Sequence, residues 1–266
     1  MLRNIYGKTL RDRRRGVIGW SIGLSALAAY TSALWPTVRD SAEDLSGLVD
    51  RLPEAVRALT NSTFDFTTPE GYLSSQPFGF MVPLLLLIFL IGWGARTVAG
   101  EEQDGQLELV LATPVPRRQI VAEKLGAILT GALVVTVVLW LAYSLGDAAV
   151  GLGVGVGTLA ALVANAALLG LTFGTLALAV GCATGSRPLA TVVAGTVAAA
   201  TYLLNAFANL VDALEPVTLV SPWRYYDPQG VLRGSLEAGD VLVLVGLTIA
   251  FSVVALLSFE RRDIAT

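Results

Sequence analysis

Six apolar runs, each of about 20 residues and nearly free of charge, leave this chain few folds to choose from. They lie at 16–35, 78–99, 125–145, 156–180, 189–210 and 241–259. A helix of about 18–20 apolar residues crosses a hydrocarbon core. Lipid offers no partner to an open strand edge, so each run is expected to be helical. The fold expected is therefore an all-α membrane protein with six transmembrane helices. Composition agrees: 54% of the 266 residues are hydrophobic and only 15% are charged. A soluble domain carries about 25% charged residues.

Lysine and arginine set the orientation. Counted on alternate sides of the six runs, thirteen fall with the two termini and with the 100–124 segment, and five fall on the other side. This places the N- and C-termini in the cytoplasm, together with 100–124. The apolar run after the Arg-rich start is long and reads as a first span, not a removed leader. Residues 1–15 read as a basic cytoplasmic helix, in which Arg11, Arg13, Arg14 and Arg15 could also meet anionic lipid. Trp20, Trp35 and Trp93 fall near span ends, where amphipathic rings sit well. Two outer segments exceed a simple connection. Within 36–77, residues 41–62 carry Leu45, Leu48, Val49, Leu52, Val56 and Leu59 at helical spacing, as expected for an amphipathic helix. Within 211–240, the Pro-bounded aromatic cluster 221–228 suggests a re-entrant or interfacial element.

Much chemistry is excluded. The chain has no histidine, which removes His-ligated metals and His general bases, and no metal site is expected. Its single cysteine, Cys182, has no partner for an intrachain disulfide. Gly7-Lys8-Thr9 ends like a phosphate loop, but Leu2 stands where the motif needs its first glycine. The glycines of 151–157 lack dinucleotide-loop spacing. Gly170 and Gly174, and Gly19 and Gly23, are small-xxx-small pairs that let helices approach closely. Four spans contain no ionisable group, which argues against ion-coupled transport. Asn165, Asn205 and Asn209 are their notable polar residues; they line a pathway or hydrogen-bond a neighbouring helix.

The 100–124 segment is the most informative. Gly100 and Gly105 are expected to break the span helix and reverse the chain. Glu101, Glu102 and Asp104 then suit the start of a new helix, at its positive dipole end. Leu107, Val110 and Leu111 give that helix an apolar face, and Pro114 and Pro116 stop it. Arg117 and Arg118 anchor the next span. A short helix with two hard stops suggests a docking surface.

The stretch Arg96-Thr-Val-Ala-Gly-Glu-Glu-Gln-Asp-Gly-Gln-Leu-Glu-Leu-Val-Leu-Ala-Thr-Pro-Val-Pro-Arg-Arg118 resembles the signature of ABC-2-type exporter permeases, with Gln106 where that family usually has threonine. The six spans, the basic N-terminus, the large first outer loop and the 225–228 cluster fit the same family. The resemblance implies a type V (ABC-2) exporter-like fold and a non-enzymatic permease subunit of the bacterial plasma membrane. It implies no cofactor on this chain, with ATP and Mg held by a separate ABC ATPase present in two copies. It also implies a second permease copy, identical or related, and no nucleic acid. By position, Glu101, Glu102, Gly105, Leu107, Glu108, Pro114 and Arg117 would couple to the ATPase, with Arg3–Arg15 as a connecting helix beside them. The alternative is a non-transporting scaffold or mechanotransmission subunit of an ABC complex.

Overall fold

The computed structural model describes residues 5–41, 68–75, 77–107, 115–208 and 215–262. Helix α1 (Ile5–Asp40) is one continuous 36-residue rod. The basic N-terminal segment is thus not a separate element: no proline or glycine interrupts it between Gly7 and Gly16, and Arg and Leu favour helix. The rod also runs through Pro36, into what was expected to be outer loop. Beyond Ser41, the amphipathic helix expected over 41–62 lies outside the described residues.

The second span is composite. Helix α2 (Pro69–Ser74) opens with a proline and is capped by Thr68, whose hydroxyl accepts from the Gly71 amide. A wide turn, Pro77–Met81, leads into α3 (Val82–Ala95). A second wide turn, Arg96–Gly100, leads into the short α4 (Glu101–Gln103). Helices α5 (Arg117–Val150), α6 (Val156–Thr184) and α7 (Arg187–Ala208) follow. Helix α8 (Glu215–Thr218), a tight 3-10 turn at Pro222–Tyr225 and α9 (Pro228–Leu232) then precede α10 (Ala238–Arg261). Six helical stretches are long and apolar enough to cross a membrane, matching the six runs in the sequence.

Helix α6 is the axis of the bundle. Some 72% of its most apolar stretch is buried, against 17% for α10. Helices α3, α7 and α10 pack around α6, while α1 pairs mainly with α5. Small residues permit the closest approach. A Cβ on Gly94 would strike the Gly174 carbonyl oxygen, and one on Gly174 would lie 3.0 Å from the Leu90 Cβ. Gly170 faces Leu86 and Leu90 in the same seam. The 170/174 pair is therefore an α3–α6 contact. Gly19 and Gly23 of α1 have open space before them. Threonine hydroxyls inside the bundle bond back to their own helices or across a seam, as Thr172 does to Thr248 at 3.1 Å.

The tryptophans differ from expectation. Trp35 and Trp93 are buried inside the bundle, and Trp20 is half-buried. Trp35 packs at a tilt against Tyr72, and the Trp93 ring covers Gly131 of α5. Helix–helix packing captured these rings because each faces a neighbour small or flat enough to receive it.

Candidate functional site

Both ends of the bundle gather polar groups. At the end carrying Ile5 and Arg117, the helical path of the second span does not stop at Gly100. Gly100 is itself helical (φ −68, ψ −42), and the turn ends only at Gly105, whose φ of +69 suits glycine. Glu101 and Glu102 therefore close one helix instead of opening the next. A carboxylate there faces the negative end of the dipole, so cations must compensate.

They do. The Lys124 ammonium, with a fully buried side chain, donates to Glu101 Oε2 at 2.5 Å and to the Thr97 carbonyl at 2.5 Å. That carbonyl belongs to the wide turn, where the regular ladder is reset. The Arg262 guanidinium donates to Glu102 Oε1 and, at 3.1 Å, to the Cys182 carbonyl. Arg117 donates to the Arg262 carbonyl at 2.7 Å, and Arg118 pairs with Glu260 at 2.7 Å on the surface. The ends of α3–α4, α5, α6 and α10 are thus knotted together by charge.

Of the seven residues assigned to coupling, five are described; Glu108 and Pro114 lie outside the described residues. Glu101 and Glu102 turn inward to their cations, and Leu107 is buried with the hydrophobic core. The exposed surface of this corner is Gln103, Asp104, Gly105 and Gln106. In the N-terminal basic segment, Arg11, Arg14 and Arg15 are exposed while Arg13 is partly buried. That segment lies along α5: the Tyr6 amide donates to Glu123 Oε2 at 3.0 Å, and Ile5 packs on Ile120.

Sequence reading missed Lys124 and Arg262 as partners. Lys124 carried a signal. It shares a helix face with Ile120, Val121, Ala127 and Ile128, all buried, so a cation at that register had to find a carboxylate. Arg262, 160 residues from Glu102, carried none.

At the opposite end, Asn165 and Asn205 line one open cavity of 390 Å³ with Trp223, Asp227, Glu237 and Asp240, among others. Asn209 lies outside the described residues. Asn165 is buried, and its Oδ1 has no hydrogen-bond partner among the described residues. Trp223 Nε1 donates to the Ala198 carbonyl, ten residues short of the end of α7 and about 15 Å along its axis. The Tyr226 hydroxyl donates to the Phe78 carbonyl at 2.6 Å. Burial raises that phenol well above its ordinary pKa, with Tyr143 and Asp227 adding to the shift, so it stays a neutral donor. Among the described residues, no group of three His, Cys, Asp or Glu side chains converges to hold a metal ion.

A family model described as "ABC-2 family transporter protein" matches residues 3–264. No curated protein matches the chain.

Proposed function

Because the chain belongs to the ABC-2 family of transporter proteins, multi-pass membrane permeases of ABC transporters, we propose that it serves an ATP-driven exporter whose separate ATPase docks on the loop between the second and third spans. The observation that carries this reading is the charge knot. Residues 103–106 are exposed, and the residues just before them are ion-paired to α5 and α10. A push on that exposed corner passes directly into two other spans. The positive-inside count supports a cytoplasmic location for the corner. ATP and Mg belong to the ATPase, two copies of which would serve two permeases.

The packing also supports a second permease copy. Helix α6 is the most buried of the six spans, while clefts between α1 and α3 and between α3 and α7 open on the outer face of the bundle. A pathway along such a face needs another chain to complete it. The cavity holding Asn165 and Asn205 would form its outer mouth.

The division of labour makes a test. Asp104→Arg with Gln106→Arg alters only exposed residues, and is expected to reduce ATPase co-purification at least tenfold without changing the permease's unfolding. Glu102→Gln keeps the exposed corner and is expected to retain the ATPase while lowering transport in reconstituted vesicles. Normal association and transport in both variants would sink the proposal. ATP hydrolysis without solute movement in the unaltered complex would instead favour the scaffold reading.

A further inference from the structure

Near the charged end, a cleft of 200 Å³ opens between α1 and α3 and reaches the start of α7. Three arginines line it: Arg13, Arg96 and Arg187. Neither Arg13 nor Arg187 forms an ion pair among the described residues, and Arg96 reaches only the half-exposed Asp104, at 3.9 Å. Glu101, whose charge also acts on Arg13, is already committed to Lys124. Trp93, also in the wall, is buried, and its Nε1 has no hydrogen-bond partner among the described residues. The cleft therefore offers donors and positive charge but little to satisfy them.

Two glycines shape it. Gly92 lies in the wall with open space where a Cβ would stand. Gly100 lets two of the arginines lie close, since a Cβ there would meet the Arg96 stem and come within 3.6 Å of the Arg187 Cδ. The cleft then continues, through Ile88 and Gly92, into a 440 Å³ groove between α3 and α7. Leu84, Ile91, Ala198 and Ala199 make that groove almost wholly apolar. A cationic pocket at the end of the spans opening onto an apolar trough along them matches one kind of molecule in shape and charge.

We propose that this cleft binds the phosphate-bearing headgroup of an anionic phospholipid, with an acyl chain laid in the adjoining groove. The arginines hold the phosphate by charge-assisted hydrogen bonds. The height is right: Arg13 precedes the first apolar run, Arg96 ends the second and Arg187 starts the fifth. The site does not depend on the coupling proposal, since no ATPase takes part in it. It does place a lipid headgroup at Arg96, on the same helical path as Glu101 of the charge knot.

The test uses the full chain in detergent, read by native mass spectrometry with dioleoylphosphatidylglycerol against dioleoylphosphatidylcholine. Phosphatidylglycerol is expected to bind at least tenfold more tightly. Each single Arg→Gln change at 13, 96 or 187 should lower that preference about fivefold, and the triple variant should abolish it. The triple Arg→Lys variant should keep most of it, which separates charge from folding. Adding 10 mM inorganic phosphate should compete no better than chloride does. Equal binding of the two lipids would overturn the proposal, as would a preference that survives the triple Gln variant. If that variant fails to fold, unchanged preference in the single variants has the same force. Competition by inorganic phosphate would reassign the cleft to a free anion. A second copy of the chain filling the groove would show as dimers with no lipid preference, and would also overturn it.

Discussion

Replacing Lys124 with Met tests the charge knot most directly. The change keeps side-chain volume and helix propensity but removes the ammonium. Glu101 then keeps its charge with only 18% of its side chain exposed, and the Thr97 carbonyl loses a 2.5 Å donor. Removing one partner of a buried pair costs about 3–5 kcal/mol. Because Glu101 retains some contact with water, the lower end applies, about 3 kcal/mol. Glu101→Leu leaves the opposite problem, an ammonium with no exposure and no counter-charge, at a similar cost. The double variant buries neither charge and should lie within about 1 kcal/mol of the natural chain. The cycle thus predicts a non-additivity of about 5 kcal/mol. Reversible unfolding in mixed detergent micelles, followed by circular dichroism, measures all three. Single changes costing under about 0.5 kcal/mol, or a double variant as damaging as the two singles summed, would refute the reasoning. Transport should fall in all three variants, including the stable double one, if the pair transmits movement.

Two other substitutions probe packing. Gly94→Ala drives a methyl into the Gly174 carbonyl, which side-chain rotation cannot relieve, so α3 must separate from α6; overpacking of this kind costs about 1–3 kcal/mol, and an unchanged unfolding midpoint would contradict the seam. Asn165→Leu removes a buried oxygen that has no partner; stability in the same assay should hold or rise by about 1 kcal/mol, and a clear loss would mean that the amide has a bound partner in the folded protein.

The sequence made the six spans legible because lipid allows so few solutions for long uncharged runs. Their ends were harder. The second run stops being apolar at Ala99, yet the helical path continues to Gln103. Glu101 continues it because the Lys124 ammonium of α5 lies alongside to pair with it, while Arg96 is met from its own path by Asp104. Gly100 looked like a breaker, but its missing side chain serves the passage of Arg96 instead. Local rules read a glycine as a turn, whereas here a neighbour's stem decided its use. Asn165 and Asn205 could be proposed from their rarity in apolar runs, and they do share one cavity. Tyr226 could be seen as part of an aromatic cluster, but its bond to Phe78, 148 residues away, could not. Pairings at such separations depend on which helices become neighbours.

The tie between Glu102 and Arg262 also has a consequence in time. The two residues are 160 positions apart, with four spans between them. A ribosome delivers the carboxylate long before the guanidinium. Until α10 has been made and has settled against α6, Glu102 sits at the end of its helix without its cation. The corner offered to an ATPase therefore takes its final form only when the sixth span is in place. The clasp acts as a mark of completion: a half-made permease presents a different corner from a finished one.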